Sequence, residues 1–239
     1  MDASVLKSLR EYLQYLVESD VDAIYVPRPS RATPPTGEVR SYREDPAEGK
    51  QLEAIREELG ECTRCPLSRG RQSIVFGEGN PCADILFVGE APGGEEDRTG
   101  RPFVGKAGQL LNQIIEKGMG LSRSEVYIGN ILKCRPPLNR TPRDEEVQVC
   151  LPFLKKQIAV IRPRVIVSLG RPAARALLEV SKPMHQLRGT WQAFQGIPLM
   201  PTYHPAYVLR YYTVPIRRQV WQDVQEVMRF LEHQDDGSE

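Results

Sequence analysis

The chain has 239 residues, 40% apolar and 26% charged, which is enough to bury the core of one domain of roughly 150 to 200 residues and excludes fibrous and wholly disordered proteins. No apolar run reaches the roughly 18 residues of a membrane span, and the N-terminal MDASVLKSLREYLQ lacks the apolar stretch of a signal peptide, so we expect a soluble cytoplasmic protein without a membrane partner. The net charge of +1 conceals a basic segment at residues 133–175, with 10 basic and 3 acidic side chains, which suits either a polyanionic partner or a solvated helix face.

Two N-terminal segments are expected to lie outside the main domain. Apolar residues at helical spacing predict an amphipathic helix extension within residues 1–26. Residues 27–50 contain five prolines and few large apolar side chains, which is typical of a mostly disordered linker. The main domain is then expected at residues 51–234, with an acidic tail at residues 235–239. The N-terminal extension could dock on the domain, bind a protein partner, or do neither.

Short apolar runs alternate with helical patterns after residue 50, which indicates a doubly wound α/β domain. The runs that have the length of buried parallel strands are residues 84–89, 125–130, 164–170 and 197–204. Helices are predicted at residues 106–118, 143–161, 172–180 and 215–233. We therefore expect a three-layer α/β/α sandwich around a central, mostly parallel four-stranded sheet. Ligands bind beyond the carboxyl ends of the strands in such sheets.

The first strand end continues into a glycine-rich loop, GEAPGGEEDRTGRPFVGKAG at residues 89–108. Its glycines match neither a Walker A loop nor a dinucleotide fingerprint, so a plain strand-to-helix connection is the alternative. Glu90 at the strand tip and Phe103 in an otherwise polar loop favour a binding site, because an apolar ring there could stack on a flat ligand. The sequence assigns no role to Glu96 and Asp97.

Two further strand ends carry polar side chains that could face the same ligand. Asn130 follows the second strand, and its amide offers donors and an acceptor in one plane, although a strand-terminal Asn often caps a turn instead. His204 ends the fourth strand and precedes a helix-starting proline. A histidine in that place is commonly a satisfied hydrogen-bond partner, but convergence with the other strand ends favours a functional role.

Four of the five cysteines have a spacing that suggests a metal site. Cys62 and Cys65 form a C-x2-C pair, and Cys134 and Cys150 are separated by fifteen residues. Four thiolates of this kind can hold a tetrahedral metal or a [4Fe-4S] cluster, and the uneven spacing favours iron and sulfur over zinc. Cys82 fits no ligand pattern and is interpreted as a lone thiol.

Taken together, GEAPGGEEDRTGRPFVGKAG, the YIGN strand end, HPAYVLR and the four cysteines resemble the family 4 uracil-DNA glycosylases, the iron-sulfur branch of the uracil-DNA glycosylase superfamily. The resemblance runs from about residue 51 to about residue 231 and does not cover residues 1–50. It implies a DNA repair enzyme that hydrolyses the N-glycosidic bond of deoxyuridine in DNA and leaves an abasic site. It also implies a structural [4Fe-4S] cluster bound by Cys62, Cys65, Cys134 and Cys150.

The resemblance also implies roles for individual residues of the site. Glu90 would handle the water, and Ala91 and Phe103 would contact the uracil, with the Phe103 ring stacked on it. Asn130 would read the edge of the base, and His204 would face its O2 atom.

Residues beyond the site are expected to contact DNA. Arg210, near Tyr207 and Leu209, would enter or flank the gap left by the flipped nucleotide. Arg140 and Arg143, in the loop between Cys134 and Cys150, would present positive charge to phosphates. A solvated basic surface is the alternative for both regions.

Two other functions compete with a glycosylase at this stage. A non-catalytic iron-sulfur module that binds DNA would explain the basic segment and the cysteines, but it would not require polar groups at several strand ends. A nucleotide hydrolase that uses the glycine-rich loop would lack the P-loop Lys followed by Ser or Thr. The expected partner is uracil-containing DNA, and the expected oligomeric state is a monomer.

Overall fold

The structure is a computed structural model that describes residues 46–235. The predicted N-terminal helix, residues 27–45 of the predicted linker and residues 236–239 of the tail lie outside the described residues. Helix α1 (Pro46–Leu59) begins within the segment expected to be linker. Proline at the start of a helix lacks only an N–H that would have no helical partner, so Pro46 does not prevent the helix from starting there.

Six strands and eight α-helices are present among the described residues. The strands are β1 (Glu78–Gly79), β2 (Ile85–Gly89), β3 (Tyr127–Asn130), β4 (Val165–Leu169), β5 (Gln192–Phe194) and β6 (Ile197–Thr202). The helices after α1 are α2 (Gly94–Thr99), α3 (Lys106–Gln113), α4 (Asp144–Ile161), α5 (Arg171–Leu178), α6 (Met184–Leu187), α7 (Pro205–Arg210) and α8 (Val214–Asp235). A π-helical turn (Ile114–Gly118) follows α3, and 3-10 turns lie at Pro66–Arg69 and Pro137–Asn139. Within this described part, no helix is long and apolar enough to cross a membrane.

The strands form one mixed sheet in the order β1-β3-β2-β4-β6-β5. The four central strands are parallel and are the four predicted ones, whereas β1 and β5 pair antiparallel at the two edges. The prediction of a four-stranded sheet is therefore wrong in the number of strands. The edge strands are only two and three residues long, which is too short for an alternating apolar pattern to reveal them.

The sheet is buried on both faces, as the continuous apolar runs predict. In β2, Leu86 and Val88 belong to an apolar cluster shared with α1 and α4, while Ile85 and Phe87 belong to a second cluster shared with α3 and α8. Alternate residues of a strand point to opposite faces, so the described residues form helical layers on both sides of the sheet. The three-layer arrangement is thus confirmed.

The strand order places a crevice at the carboxyl edge of the sheet. The chain passes from β2 to β3 on one side and then to β4 and β6 on the other side. Such a reversal opens a gap between neighbouring crossovers, and ligands of doubly wound sheets bind there. The segments that follow β2, β3, β4 and β6 therefore meet at this edge.

Candidate active site at the carboxyl edge of the sheet

The centre of the site is a glycine over which an amide and an aromatic ring meet. Gly89 and Asn130 end the adjacent strands β2 and β3 and pair in register. A Cβ atom at Gly89 would lie 2.5 Å from Cζ and 2.7 Å from Cε2 of Phe103, and also under 3.0 Å from Oδ1 of Asn130. The absence of a side chain at Gly89 therefore allows the Phe103 ring and the Asn130 amide to approach each other.

The loop that carries Phe103 is held in an unusual backbone conformation. Phe103 has a φ angle of 51° and is 5% exposed, and a non-glycine residue in the left-handed region is maintained only by strong surrounding contacts. The guanidinium of Arg123 supplies such contacts, because it donates to the carbonyl oxygens of Pro102 at 2.5 Å and Phe103 at 3.3 Å. It also donates to Oδ1 of Asn112 at 2.7 Å. Arg123 therefore anchors the loop to α3.

Glu96 and Asp97, to which the sequence assigned no role, are structural. The Glu96 carboxylate accepts hydrogen bonds from the backbone N–H groups of Val104 and Gly105, both at 2.9 Å, and of Gly93 at 3.1 Å. Glu96 thereby joins the two ends of the glycine-rich loop on both sides of α2. Asp97 is buried and accepts from the backbone N–H groups of residues 72 and 73, at 2.9 and 3.4 Å.

The Asn130 side chain has the features of a ligand-binding group. It is only 2% exposed, and its Oδ1 atom has no hydrogen-bond partner among the described residues. An unsatisfied buried acceptor costs about 1 to 3 kcal/mol, so a ligand that donates to it gains affinity. The backbone beside it is fixed, because the ammonium of Lys133 donates to the Asn130 carbonyl at 3.0 Å and to Gln157 at 2.7 Å.

His204 is held as a neutral hydrogen-bond donor. It caps the N-terminus of α7, where its Nδ1 atom accepts from the backbone N–H of Ala206 at 3.1 Å. A neutral imidazole whose Nδ1 accepts carries its proton on Nε2. Desolvation lowers the pKa of His204 to about 4, and the neighbouring charge of Glu96 opposes this shift. The ring lies 5.6 Å from that of Phe103, between centroids.

Glu90 is half-buried at the tip of β2, and Ala91 follows it against the apolar cluster that contacts α1 and α4. Desolvation raises the pKa of the Glu90 carboxyl above its ordinary value. Burial alone causes this shift, and no hydrogen bond from residues 46–235 contributes to it. A carboxylate with a free hydrogen-bonding capacity can orient a water molecule.

The four predicted metal ligands share one apolar pocket on the opposite side of the sheet from Phe103. Cys62, Cys65, Cys134 and Cys150 line this pocket, and all are free thiols. Arg71 donates to the Cys62 carbonyl at 2.5 Å and to Sγ of Cys134 at 3.5 Å, and the backbone N–H of Lys133 donates to Sγ of Cys150 at 3.3 Å.

Burial in this pocket disfavours the thiolate form of two of its cysteines, so the pocket suits a bound metal group that ionises its own ligands. Burial raises the pKa of the Cys134 thiol, and it raises that of Cys150 to about 11. A bound metal deprotonates its cysteine ligands outright, and hydrogen bonds to sulfur are usual around iron-sulfur clusters. In the described part of the chain, no three Cys, His, Asp or Glu side chains are drawn together around one ion. The pocket therefore supplies four thiols as a donor set for the predicted cluster.

The predicted DNA-contacting residues of α7 lie on the surface beside His204. Arg210 is exposed, and Tyr207 and Leu209 are 41% and 39% exposed. Tyr207 stacks on Tyr203 with a centroid distance of 5.0 Å and contacts Tyr211 at 4.8 Å. The tyrosine rings and the Arg210 cation next to the site are suited to contact unstacked bases.

The two arginines of the loop between Cys134 and Cys150 differ from each other. The Arg140 guanidinium binds the buried carboxylate of Glu146 through two hydrogen bonds, at 2.6 and 2.9 Å. Arg143 is exposed and uses its backbone N–H to bind the same carboxylate at 2.9 Å. The charge of Arg140 is thus engaged within the protein, and Arg143 is the better candidate for a phosphate contact.

Several residues that shape the site were missed by sequence reasoning. These are Gly89, Arg123, Lys133 and Gly170, where a Cβ would lie 2.9 Å from Cβ of His204. Lys133 had a visible signal, because it is the only charged residue in the apolar sequence YIGNILKC. The contacts of Arg123 join segments about twenty residues apart and leave no local pattern.

Comparison with known proteins gives consistent matches. Residues 76–225 match the family model described as the uracil DNA glycosylase superfamily. The chain is 44% identical to a type-4 uracil-DNA glycosylase of Thermotoga maritima over 184 residues, which is 75% of this chain and 94% of the relative. It is 43% identical to a type-4 enzyme of Saccharolobus solfataricus (75% and 86% covered) and 33% identical to a type-5 enzyme of Pyrobaculum aerophilum (57% and 66% covered). The matched region spans all six strands.

Proposed function

The chain belongs to the uracil-DNA glycosylase superfamily and, within it, to the type-4 branch, and on this premise we propose that it hydrolyses the N-glycosidic bond of deoxyuridine in DNA. The reaction releases uracil and leaves an abasic site for base excision repair. The observation that carries this proposal is the meeting of the Phe103 ring and the unpartnered Asn130 amide oxygen over Gly89. The neutral His204 ring lies beside them.

Asn130 supports selection of uracil over cytosine. Uracil presents an N3–H donor beside the O4 acceptor, whereas cytosine presents an acceptor beside an amino donor. The buried Oδ1 acceptor suits N3–H, which leaves the amide N–H groups for O4. A matched pair of this kind discriminates by about 1 to 3 kcal/mol. The selection requires that the amide keep one orientation, and the Lys133 hydrogen bond restrains the backbone that carries it.

Phe103 offsets the cost of removing uracil from the base stack. Extrusion of a base costs a few kcal/mol of lost stacking and pairing, and stacking on an aromatic ring returns about 1 to 3 kcal/mol. The ring is already ordered by the contacts of Arg123 and Glu96 with its loop, so little freedom is lost when a base binds.

His204 stabilises the leaving group without being charged. Cleavage of the glycosidic bond places negative charge on the departing uracil, partly at O2. With Nδ1 engaged by Ala206, the Nε2–H group is the donor available to O2. An oriented donor of this kind is worth about 3 kcal/mol by comparison with oxyanion holes. Gly170 lets the strand end approach the His204 side chain.

Glu90 acts on the deoxyribose side of the reaction. The sugar develops positive charge as the bond breaks, and a nearby carboxylate lowers the energy of that charge. The same carboxylate can orient the attacking water. A sugar cation reacts readily even with a weak nucleophile such as water. The proposed roles of Glu90 are therefore to orient the water and to stabilise the positive charge, and abstraction of a proton is secondary.

The four cysteines would hold a [4Fe-4S] cluster with a structural role. The cluster would link the segment at residues 62–65 to the segment that carries Cys134 and Cys150, which also meet through side-chain packing and through the hydrogen bonds of Arg71. The pocket lies in the apolar layer of α1 and α4, whereas Phe103 lies in the layer of α3 and α8. The proposed cluster therefore stabilises the scaffold of the site from the other face of the sheet.

Uracil-containing DNA is the proposed partner, bound through the α7 surface with Arg210 and through Arg143. The cytoplasmic location and the monomeric state stay predictions. A partner-binding role of the N-terminal extension is also a prediction, since that segment lies outside the described residues.

A labelled oligonucleotide with one deoxyuridine tests the function directly. We expect the wild-type protein to make the strand alkali-sensitive, and we expect Asn130→Ala and His204→Ala to lose most of this activity while they stay folded. The melting temperature of His204→Ala should fall by about a few degrees, because this variant also loses the cap of α7. Binding of the oligonucleotide without release of uracil would favour the non-catalytic DNA-binding module.

A further inference from the structure

One apolar side chain protrudes from the surface close to the active site. Leu138 is 96% exposed, in the turn Pro137–Asn139 between Cys134 and Cys150. Its φ angle is 54°, and that of Asn139 is also 54°. The left-handed conformation is unfavourable for leucine, so this residue combines an unfavourable backbone with an unfavourable exposure.

The turn that presents Leu138 is well braced. The backbone N–H groups of Asn139 and Arg140 donate to the carbonyls of Pro136 and Pro137, at 3.0 and 3.1 Å. The Arg135 guanidinium donates to the Asn139 side chain at 2.8 Å. The ion pair of Arg140 with the buried Glu146 fixes the C-terminal side of the turn. The protein therefore holds an exposed leucine in a defined position.

The position of the turn relates it to the uracil pocket. The turn follows β3, which ends at Asn130, and the Arg135 guanidinium lies 3.4 Å from where a Cβ atom of Gly94 would be. Through Arg135, which also binds Asn139, the turn that carries Leu138 is thus anchored next to the glycine-rich loop. The other exposed leucine of this edge, Leu209, follows β6, and β2 and β4 lie between β3 and β6. At a strand spacing of about 4.8 Å, the two sides are separated by about 14 Å.

We propose that Leu138 is a DNA wedge that packs into the base stack of double-stranded DNA on the β3 side of the pocket, while the α7 surface contacts the DNA on the β6 side. The inference rests on the proposed function. Proteins that distort DNA insert apolar side chains between base steps, and a base that leaves the stack uncovers apolar surface which a leucine can cover. The nearby cations Arg135 and Arg143 complement the phosphates that flank such an insertion.

The wedge predicts an effect that depends on the form of the substrate. Single-stranded DNA has no continuous stack to open, so Leu138 should matter only for duplex DNA. Leu138→Asn removes the apolar side chain but suits the left-handed backbone better than leucine does. We expect kcat/KM on duplex DNA to fall about tenfold, with less than about a twofold change on single-stranded DNA. The melting temperature should stay the same or rise.

Two control variants separate the wedge from a change in the backbone. Leu138→Met keeps the apolar bulk and should retain duplex activity. Gln195→Asn changes another exposed left-handed residue, with a φ angle of 50°, in the turn between β5 and β6. It removes no apolar side chain and should leave both substrates unaffected. A duplex with 2-aminopurine beside the uridine should become brighter on binding wild type and less so with Leu138→Asn, because the probe reports unstacking.

Equal loss of activity on both substrates with Leu138→Asn would show that the turn shapes the pocket and would overturn the wedge. Unchanged duplex activity and unchanged probe fluorescence would also overturn it. If the wild type releases uracil and Leu138→Asn gives either of those results, the wedge is refuted and the proposed function stands. Failure of the wild type to release uracil from both substrates would refute the proposed function and the wedge with it.

Discussion

A single methyl group at Gly89 should abolish most of the activity. In Gly89→Ala, the added Cβ would lie 2.5 Å from the Phe103 ring and under 3.0 Å from the Asn130 amide oxygen. Ordinary van der Waals contacts between such atoms begin at about 3.5 Å. The ring and the amide must therefore each move by about 1 Å, which displaces both groups that are proposed to hold the base.

The expected loss follows from this displacement. A misplacement of about 1 Å in an active site costs on the order of 100-fold in rate, and overpacking of a buried position costs about 1 to 3 kcal/mol of stability. We expect the single-turnover rate of uracil release by Gly89→Ala to fall about 100-fold or more, while the protein stays folded. The matched control is Gly129→Ala, on the neighbouring strand. A Cβ atom there would lie 3.8 Å from Cδ1 of Leu154 and 3.9 Å from Nζ of Lys133, which are its nearest neighbours.

The assay compares the two variants by single-turnover cleavage of a deoxyuridine oligonucleotide, with melting temperatures measured in parallel. Gly129→Ala should retain activity within about threefold, because a methyl group there makes only ordinary contacts. Near-normal cleavage by Gly89→Ala would show that the uracil does not bind between Phe103 and Asn130. Equal losses in both variants would show that the strand ends are sensitive to any substitution, which would refute a specific role of the space above Gly89.

Three further predictions concern charge and the cysteines. The single-turnover rate of uracil release should fall as the pH drops through a midpoint above 4.5, because burial raises the pKa of Glu90 and the ionised carboxylate is the active form. If the pH–rate profile of Glu90→Gln keeps the same midpoint, Glu90 is not the group that titrates. Arg143→Gln should reduce the slope of the logarithm of the DNA-binding constant against the logarithm of salt concentration by about 0.9. Arg140→Gln should chiefly lower the melting temperature, because it leaves the buried Glu146 carboxylate without the guanidinium that pairs with it. Equal salt slopes in the two variants would contradict this difference between the two arginines. Cys134→Ser should lose the visible absorption of the cluster and melt at a lower temperature, while Cys82→Ser should keep both, and a colourless wild-type protein would refute the cluster.

Much of the fold could be predicted because its strands are buried on both faces. Continuous apolar runs such as ILFVG and VIVSL have the length of central parallel strands, and the helices between them show their own periodicity. The meeting of Glu90, Asn130 and His204 at one edge could be predicted too, since parallel strands bring their carboxyl ends to the same edge; the roles of these residues stay predictions. The resemblance to type-4 uracil-DNA glycosylases is confirmed by the comparisons.

The remainder depends on contacts between distant segments. Nothing in the local pattern of residues 72 and 73 shows that their N–H groups bind Asp97, and nothing near Phe103 shows that Arg123 holds it. The basic loop illustrates the same limit, because composition counts Arg140 as a free charge. Only the fold shows that Glu146 has already neutralised it.

The cysteine pocket and the Phe103 ring lie on opposite faces of the sheet, and helix α2 connects them. Arg71 contacts Cys62 and Cys134, and the next two residues of the chain donate their N–H groups to Asp97. The adjacent Glu96 binds the backbone that follows Phe103. A displacement of the cysteine segments would therefore be passed through consecutive hydrogen bonds to the loop that carries Phe103. Through these contacts the proposed cluster would support base recognition without taking part in a chemical step.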